Sequence, residues 1–275
     1  MIDIGFIILK WLVPALYLIS FYFYLHNFWH RDLRFAHWAT RLFLISLILH
    51  FLFLIFLSIN VSHLPLGGAW QAVTSAVFLF GIVYYALEYK LEIKAFSTFI
   101  LPVIIFLQLL AIFQLRLDSP LPVILQNLFF EIHVLFNLPA YSSFAISLIS
   151  SLMYLLLFYE IQGERMGFFY SRLPSLKLVD TITNKANVVG FLALSIGMLL
   201  GILMAFKMWT AQWELDPKLI SILTIWLIYA LVIISRFKMG WEGKRTAWIS
   251  LFGFGGILFS FLVITTLFSK LHSFR

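Results

Sequence analysis

Residues 40–60 read TRLFLISLILHFLFLIFLSIN, and the nature of the whole chain follows from them. From Leu42 to Ile59 there is no Asp, Glu, Lys or Arg, and His50 is the one ionisable side chain. An α-helix needs about 20 consecutive apolar residues to cross the hydrocarbon core of a bilayer. This stretch meets that length, and its apolar character is continuous rather than alternating, which argues against a strand of a β-barrel. The same pattern recurs along the chain, with runs at roughly 3–24, 40–60, 69–88, 95–114, 137–159, 186–207, 219–236 and 247–268. The expectation is an all-α, polytopic membrane helix bundle of about eight transmembrane helices, with residues 1–275 forming one integral membrane domain. Composition agrees: 11% of residues are charged and the mean hydropathy is +1.01, against about 25% charged in soluble domains.

Finer features follow from local pattern. The first run continues into a basic loop and a second run with no small-residue cleavage site, so it reads as a retained helix. The fifth helix extends upstream to near Leu125, and Pro139 either kinks it or begins the span proper. The stretch from Leu173 to Lys185, with Leu176, Val179 and Ile182 spaced by three, reads as a short interfacial amphipathic helix.

The net charge of +7 points to topology rather than to nucleic acid. The loops after the first, third, fifth and seventh runs hold thirteen Lys and Arg, and the opposite side holds five. The positive-inside rule then places both termini on the outer side of a cytoplasmic (inner) membrane, with the lipid bilayer as the surrounding partner. There is no cysteine, which excludes disulfides, thiolate ligands and cysteine catalysis. No P-loop, Gly-rich nucleotide motif, metalloprotease motif or paired hydrolytic carboxylates occur.

The topology sorts the seven histidines. His26, His30 and His37 fall on the cytoplasmic side in a basic loop with Trp29 and Trp38; their 4- and 7-residue spacings would align them on a helix for a metal, and a solvated basic loop is the plainer reading. His50 lies in mid-membrane, where an ionisable side chain is a functional candidate. His63, His133 and His272 fall on the outer side. So does Trp209-Thr-Ala-Gln-Trp213-Glu-Leu-Asp216, within the external segment 207–218 between two apolar runs. Tryptophan is common at membrane interfaces, and Asp216-Pro217 suits the start of a helix. Alongside outer histidines, however, the segment also suits a flat, apolar, anionic ligand such as haem, whose iron takes neutral imidazole. Gly197, Gly201 and Ala205, four apart, read as a close-packing helix face without chemistry.

From residue 60 to residue 275 the sequence resembles the CcsA-type cytochrome c assembly proteins. The resemblance rests on Gly190-Phe191, Gly197, Gly201, Ala205, Trp209, Trp213, Asp216-Pro217-Lys218, Trp226, Arg236, Trp241-Glu242-Gly243, Gly253-Phe254 and Leu271-His272-Ser273. Upstream it adds His133-Val134 with Tyr141, and His63-Leu-Pro-Leu66. It implies a haem-handling membrane protein, a possible subunit of a cytochrome c synthase (haem lyase) complex, that holds haem b at the outer face. His133 and His272 would be the axial ligands of the iron, and Trp209, Trp213 and Asp216 the platform. It implies two partners: a CcsB-type membrane protein, and an apocytochrome c whose Cys-x-x-Cys-His thiols attack the haem vinyl groups.

The chain departs from the pattern at several positions. Leu215 stands where the family has tryptophan, Leu219 where it has glutamate, and Gln212 where an aromatic is usual. Ile234 stands where the family has an intramembrane histidine, so either haem in transit uses another ligand, with His50 the membrane-embedded histidine available, or this chain does not translocate haem as its relatives do. These departures keep a second reading open: a HemX-type relative, a membrane interaction protein that regulates tetrapyrrole synthesis.

Overall fold

The computed structural model describes residues 4–115, 117, 128–164, 167–208 and 217–260. Among them every regular element is helical, and seven helices are long and apolar enough to cross a membrane. The chain is a multi-pass membrane protein. It divides into two compact units, Met1–Gln126 and Asn127–Arg275.

The first unit is a four-helix bundle: α1 (Ile4–His30), α2 (Leu33–Val61), α3 (Ala69–Leu91) and α4 (Ser97–Gln114), the last preceded by a single 3-10 turn, Lys94–Phe96. Each helix touches two neighbours, closing the ring α1–α2–α3–α4. The connections are tight. Arg31, Ser62 and Glu92 turn the chain in the left-handed region. Asp32 caps α2, its Oδ1 accepting from the Arg34 backbone N–H at 2.9 Å. Hydrogen bonds from the Arg34 side chain and backbone hold the Asp32 carboxyl below the usual carboxylate range.

Inside, two polar layers cross an apolar core, and every helix contributes to both. In one, the buried Glu88 carboxylate of α3 accepts from Tyr24 of α1 (2.8 Å), Thr40 of α2 (2.7 Å) and Ser97 of α4 (2.9 Å), and pairs with Lys94 at 3.0 Å. Such a charge is tolerable out of water only because it is paired and fully hydrogen-bonded. The other layer joins Tyr17, His50, Thr74 and Gln108. Phe43, fully buried and in ring contact with Tyr17, Tyr24 and Tyr84, lies between the layers. The outer faces carry large apolar side chains such as Ile48, Phe51, Phe106 and Phe113, as lipid contact requires.

The second unit comprises α5 (Leu128–Gln162), α6 (Phe168–Arg172), α7 (Leu176–Met208), α8 (Pro217–Met239) and α9 (Lys244–Phe259). The expected eighth run is thus represented by α9, sixteen residues long in its described part. α5 is the hub, packed along α7 and against α9. Its buried Ser142, Ser143, Ser147, Ser150 and Ser151 keep one face narrow, so α7 can approach closely. The core is Ala140, Phe144, Leu194, Ile225, Tyr229 and Ile257, with the Phe144 and Tyr229 rings stacked at 3.8 Å. Gly190 makes room for that stack: a Cβ there would lie 2.6 Å from Phe144. Pro139 sits inside α5, where it cannot donate to the Leu135 carbonyl, yet the helix continues through it. The expected start near Leu125 lies outside the described residues.

One sequence expectation fails. The stretch 173–185 is not a separate interfacial helix: from Leu176 it forms the first turns of α7. Val179 and Ile182 are buried inside the protein, at 0% and 2% exposure, rather than lying in the headgroup layer. A tertiary contact and a membrane surface ask for the same amphipathic spacing.

Candidate functional site

α5 and α7 run antiparallel in constant register. Ser147 bonds Asn187, Phe144 lies against Gly190, Asn137 against Gly197, and His133 against Gly201. The last two pairs form the site. The glycines supply its floor: a Cβ on Gly197 would stand 2.5 Å from Asn137 Oδ1, and one on Gly201 would stand 2.6 Å from His133 Cε1. The small-residue repeat is indeed a close-packing face. What packs on it is a histidine and an amide.

Two backbone carbonyls fix the protons of this pair. His133 Nδ1 lies 2.7 Å from the Gly197 carbonyl oxygen. A carbonyl only accepts, so Nδ1 carries the hydrogen and Nε2 of the neutral ring carries the lone pair. The Asn137 amide nitrogen lies 2.9 Å from the His133 carbonyl oxygen, which fixes the amide orientation by the same rule. That nitrogen is also 3.0 Å from His133 Nε2, to which it donates. The ring is therefore held in the tautomer a metal ion requires, with its distal nitrogen anchored to backbone in the manner of a metal-bound histidine.

Described parts of three helices reach this end of the unit. The described part of α7 runs to Met208, two turns past Gly201, and that of α8 starts at Pro217. Ser260, still helical after Phe259 of α9, bonds Ser221 at 2.6 Å and accepts from Lys218 at 3.3 Å. Trp209, Trp213, Asp216 and His272 themselves lie outside the described residues. The segments that carry them continue from Met208 and Ser260.

The remaining candidates sort differently. His50 is fully buried with both ring nitrogens engaged. Thr74 donates its one proton to Gln108 Oε1 (2.9 Å), so it accepts from His50 Nε2–H (3.0 Å), and His50 Nδ1 accepts from the Tyr17 hydroxyl (3.0 Å). In this arrangement His50 offers no lone pair to iron. His63 lies in the first unit, in the turn after α2, with Nδ1 donating to the Leu64 carbonyl at 2.6 Å. His26 and His30 close α1, whereas His37 opens α2 and bonds the Leu33 carbonyl, so the three do not share a helix. Among the described residues no group of three or more His, Asp or Glu could hold a metal ion. Ile234 is half exposed, on the face of α8 opposite Ile225, Tyr229 and Val232.

The other end of the unit holds a structural clasp that spacing alone did not reveal. Asp180 of α7 takes a two-pronged bond from Arg236 of α8 (2.7 and 3.2 Å) and a third from the Gly243 backbone N–H (2.9 Å). Gly243 has φ +65° and ψ −125°, which a side chain would disfavour, and a Cβ there would meet the Tyr154 hydroxyl.

Comparison with known proteins identifies a family. A family model described as cytochrome C assembly protein matches residues 64–272. The cytochrome c biogenesis protein CcsA of Mesostigma viride is 26% identical over 236 residues, covering 77% of each chain. The CcsA of Chlamydomonas reinhardtii is 27% identical over 221 residues, 77% of this chain and 61% of that one. The CcsA of Synechococcus sp. (strain RCC307) is 33% identical over a shorter stretch of 96 residues, 35% of this chain and 31% of that one. The matched region takes in α3 to α9, and with it His133, Asn137 and the glycine floor: the chain belongs to the cytochrome c assembly protein family.

Proposed function

We propose that this protein binds haem b at the outer face of the cytoplasmic membrane and presents it for covalent attachment to apocytochrome c. His133 and His272 are the two axial ligands, and Trp209, Trp213 and Asp216 form the platform. One observation carries the reading: His133 is held by a backbone carbonyl as the tautomer whose Nε2 can ligate iron. Haem is cargo here rather than a resident cofactor. Two imidazoles would keep its iron six-coordinate and shielded from oxygen chemistry until the thiols of a Cys-x-x-Cys-His segment reach the vinyl groups. A CcsB-type membrane protein is the expected partner, and the excess of Lys and Arg in the loops of the opposite side supports both termini lying outside.

The test is the absorption spectrum of the protein purified in detergent, beside a His133→Ala/His272→Ala double variant. A bis-histidine haem spectrum in the parent that vanishes in the variant supports the reading. Identical spectra in both, or a protein that stays colourless when haem is added, overturn it.

A second reading, a HemX-type regulator of tetrapyrrole synthesis, draws on Ile234. The family's intramembrane ligand position carries an apolar side chain on the outer face of α8, and His50 is closed. Normal c-type cytochromes in a deletion strain, together with altered tetrapyrrole levels, would favour this second reading.

A further inference from the structure

We propose that Asn137 is an exchangeable occupant of the His133 lone pair, an internal competitor that keeps ligation at this site reversible. The inference rests on the reading of His133 as a haem ligand and specifies how that ligand is held in reserve.

The argument is one of hydrogen-bond arithmetic. The Asn137 side-chain nitrogen has two hydrogens and two acceptors in reach: the His133 carbonyl oxygen at 2.9 Å and His133 Nε2 at 3.0 Å. Both acceptors belong to the residue one helical turn before it. An imidazole nitrogen in a partly buried site is costly to leave without a partner, and Asn137, 8% exposed, removes that cost while iron is absent. The same lone pair cannot serve the amide and iron together. When iron binds, the N–H···Nε2 bond breaks as the Fe–Nε2 bond forms, and no proton changes atoms because Nδ1 already carries it. The amide keeps its second bond, to the His133 carbonyl, so it need only tilt and does not have to leave. Gly197 makes this arrangement spatially possible, since any side chain there would collide with Asn137 Oδ1.

A protein that must hand its cargo on benefits from such a group. As iron withdraws, the amide recaptures Nε2, so the free site is not left with an unsatisfied base. Asn137 is thus a positioning residue acting through His133. The prediction runs opposite to that of a structural role, because removing the competitor should tighten haem binding.

The experiment measures haem affinity of the full-length protein in detergent, by competition with apomyoglobin, for the parent, Asn137→Leu, Asn137→Ala and His133→Ala. Leucine keeps the volume without the donor, and alanine covers the case in which leucine does not fold. Loss of one net hydrogen bond to the empty site should raise haem affinity about three- to tenfold in either Asn137 variant, with the bis-histidine spectrum retained. His133→Ala should lower affinity and change the spectrum. Unchanged or weaker affinity in both folded Asn137 variants, with His133→Ala behaving as stated, overturns the competitor role and leaves the ligand assignment standing. An unchanged spectrum in His133→Ala overturns the ligand assignment itself.

Discussion

Gly201 is the residue on which the His133 ring most directly depends. A methyl group there would lie 2.6 Å from Cε1 and 2.8 Å from Nδ1. Gly201→Ala should push the ring off the Gly197 carbonyl, cost about 1–3 kcal/mol as overpacking does, and weaken the haem spectrum. Thermal unfolding in detergent with absorbance recorded alongside checks both, and an alanine variant with parental stability and spectrum would contradict the geometry. His50→Ala should act the other way round. It leaves Tyr17 and Thr74 each short of a partner, at about 1–3 kcal/mol for each orphaned group, and leaves haem absorbance untouched; a spectral change would make His50 a ligand after all. At this scale the sequence was half legible. His133 stood out by residue type and by resemblance. Asn137 did not, because its role needs a helical turn on α5 to meet a carbonyl 64 residues along the chain. The available signal was a histidine and an amide four apart, opposite a run of glycines with the same spacing.

Among elements, the clasp between α7 and α8 is the contact most exposed to test. Asp180 and Arg236 are largely buried, with side chains 11% and 14% exposed. Removing one partner of a buried pair typically costs about 3–5 kcal/mol, so Arg236→Gln should lower the unfolding temperature markedly. Exchanging the two residues should not restore it, because the Gly243 N–H donates to the Asp180 carboxylate and would then face a guanidinium. Full recovery in the exchanged variant would show that only the pair matters. The elements themselves were legible from continuous apolar runs, since in hydrocarbon a helix must satisfy its own backbone and length nearly decides the matter. Where the reading failed, at 173–185, hydrophobic spacing reported burial correctly but not against what. Val179 and Ile182 pack within the protein.

At the level of the molecule, the two units can be perturbed one at a time. Glu88→Gln keeps the shape of a fully buried group but removes the charge that Lys94 answers. It also brings donors towards Tyr24, Thr40 and Ser97, which already donate. It should lower thermal stability while leaving haem absorbance unchanged, because every partner of His133 lies in the second unit. A shift in that absorbance would reveal coupling between the units. The two polar layers of the first unit carry one more consequence. Each of its four helices is pinned at two heights, α1 by Tyr17 and Tyr24, α2 by Thr40 and His50, α3 by Thr74 and Glu88, α4 by Ser97 and Gln108. A helix displaced along its axis by one turn, about 5.4 Å, would strand both of its pins in hydrocarbon at once. Axial sliding is thereby closed to all four as a mode of motion, and the bundle serves as a strut rather than a piston.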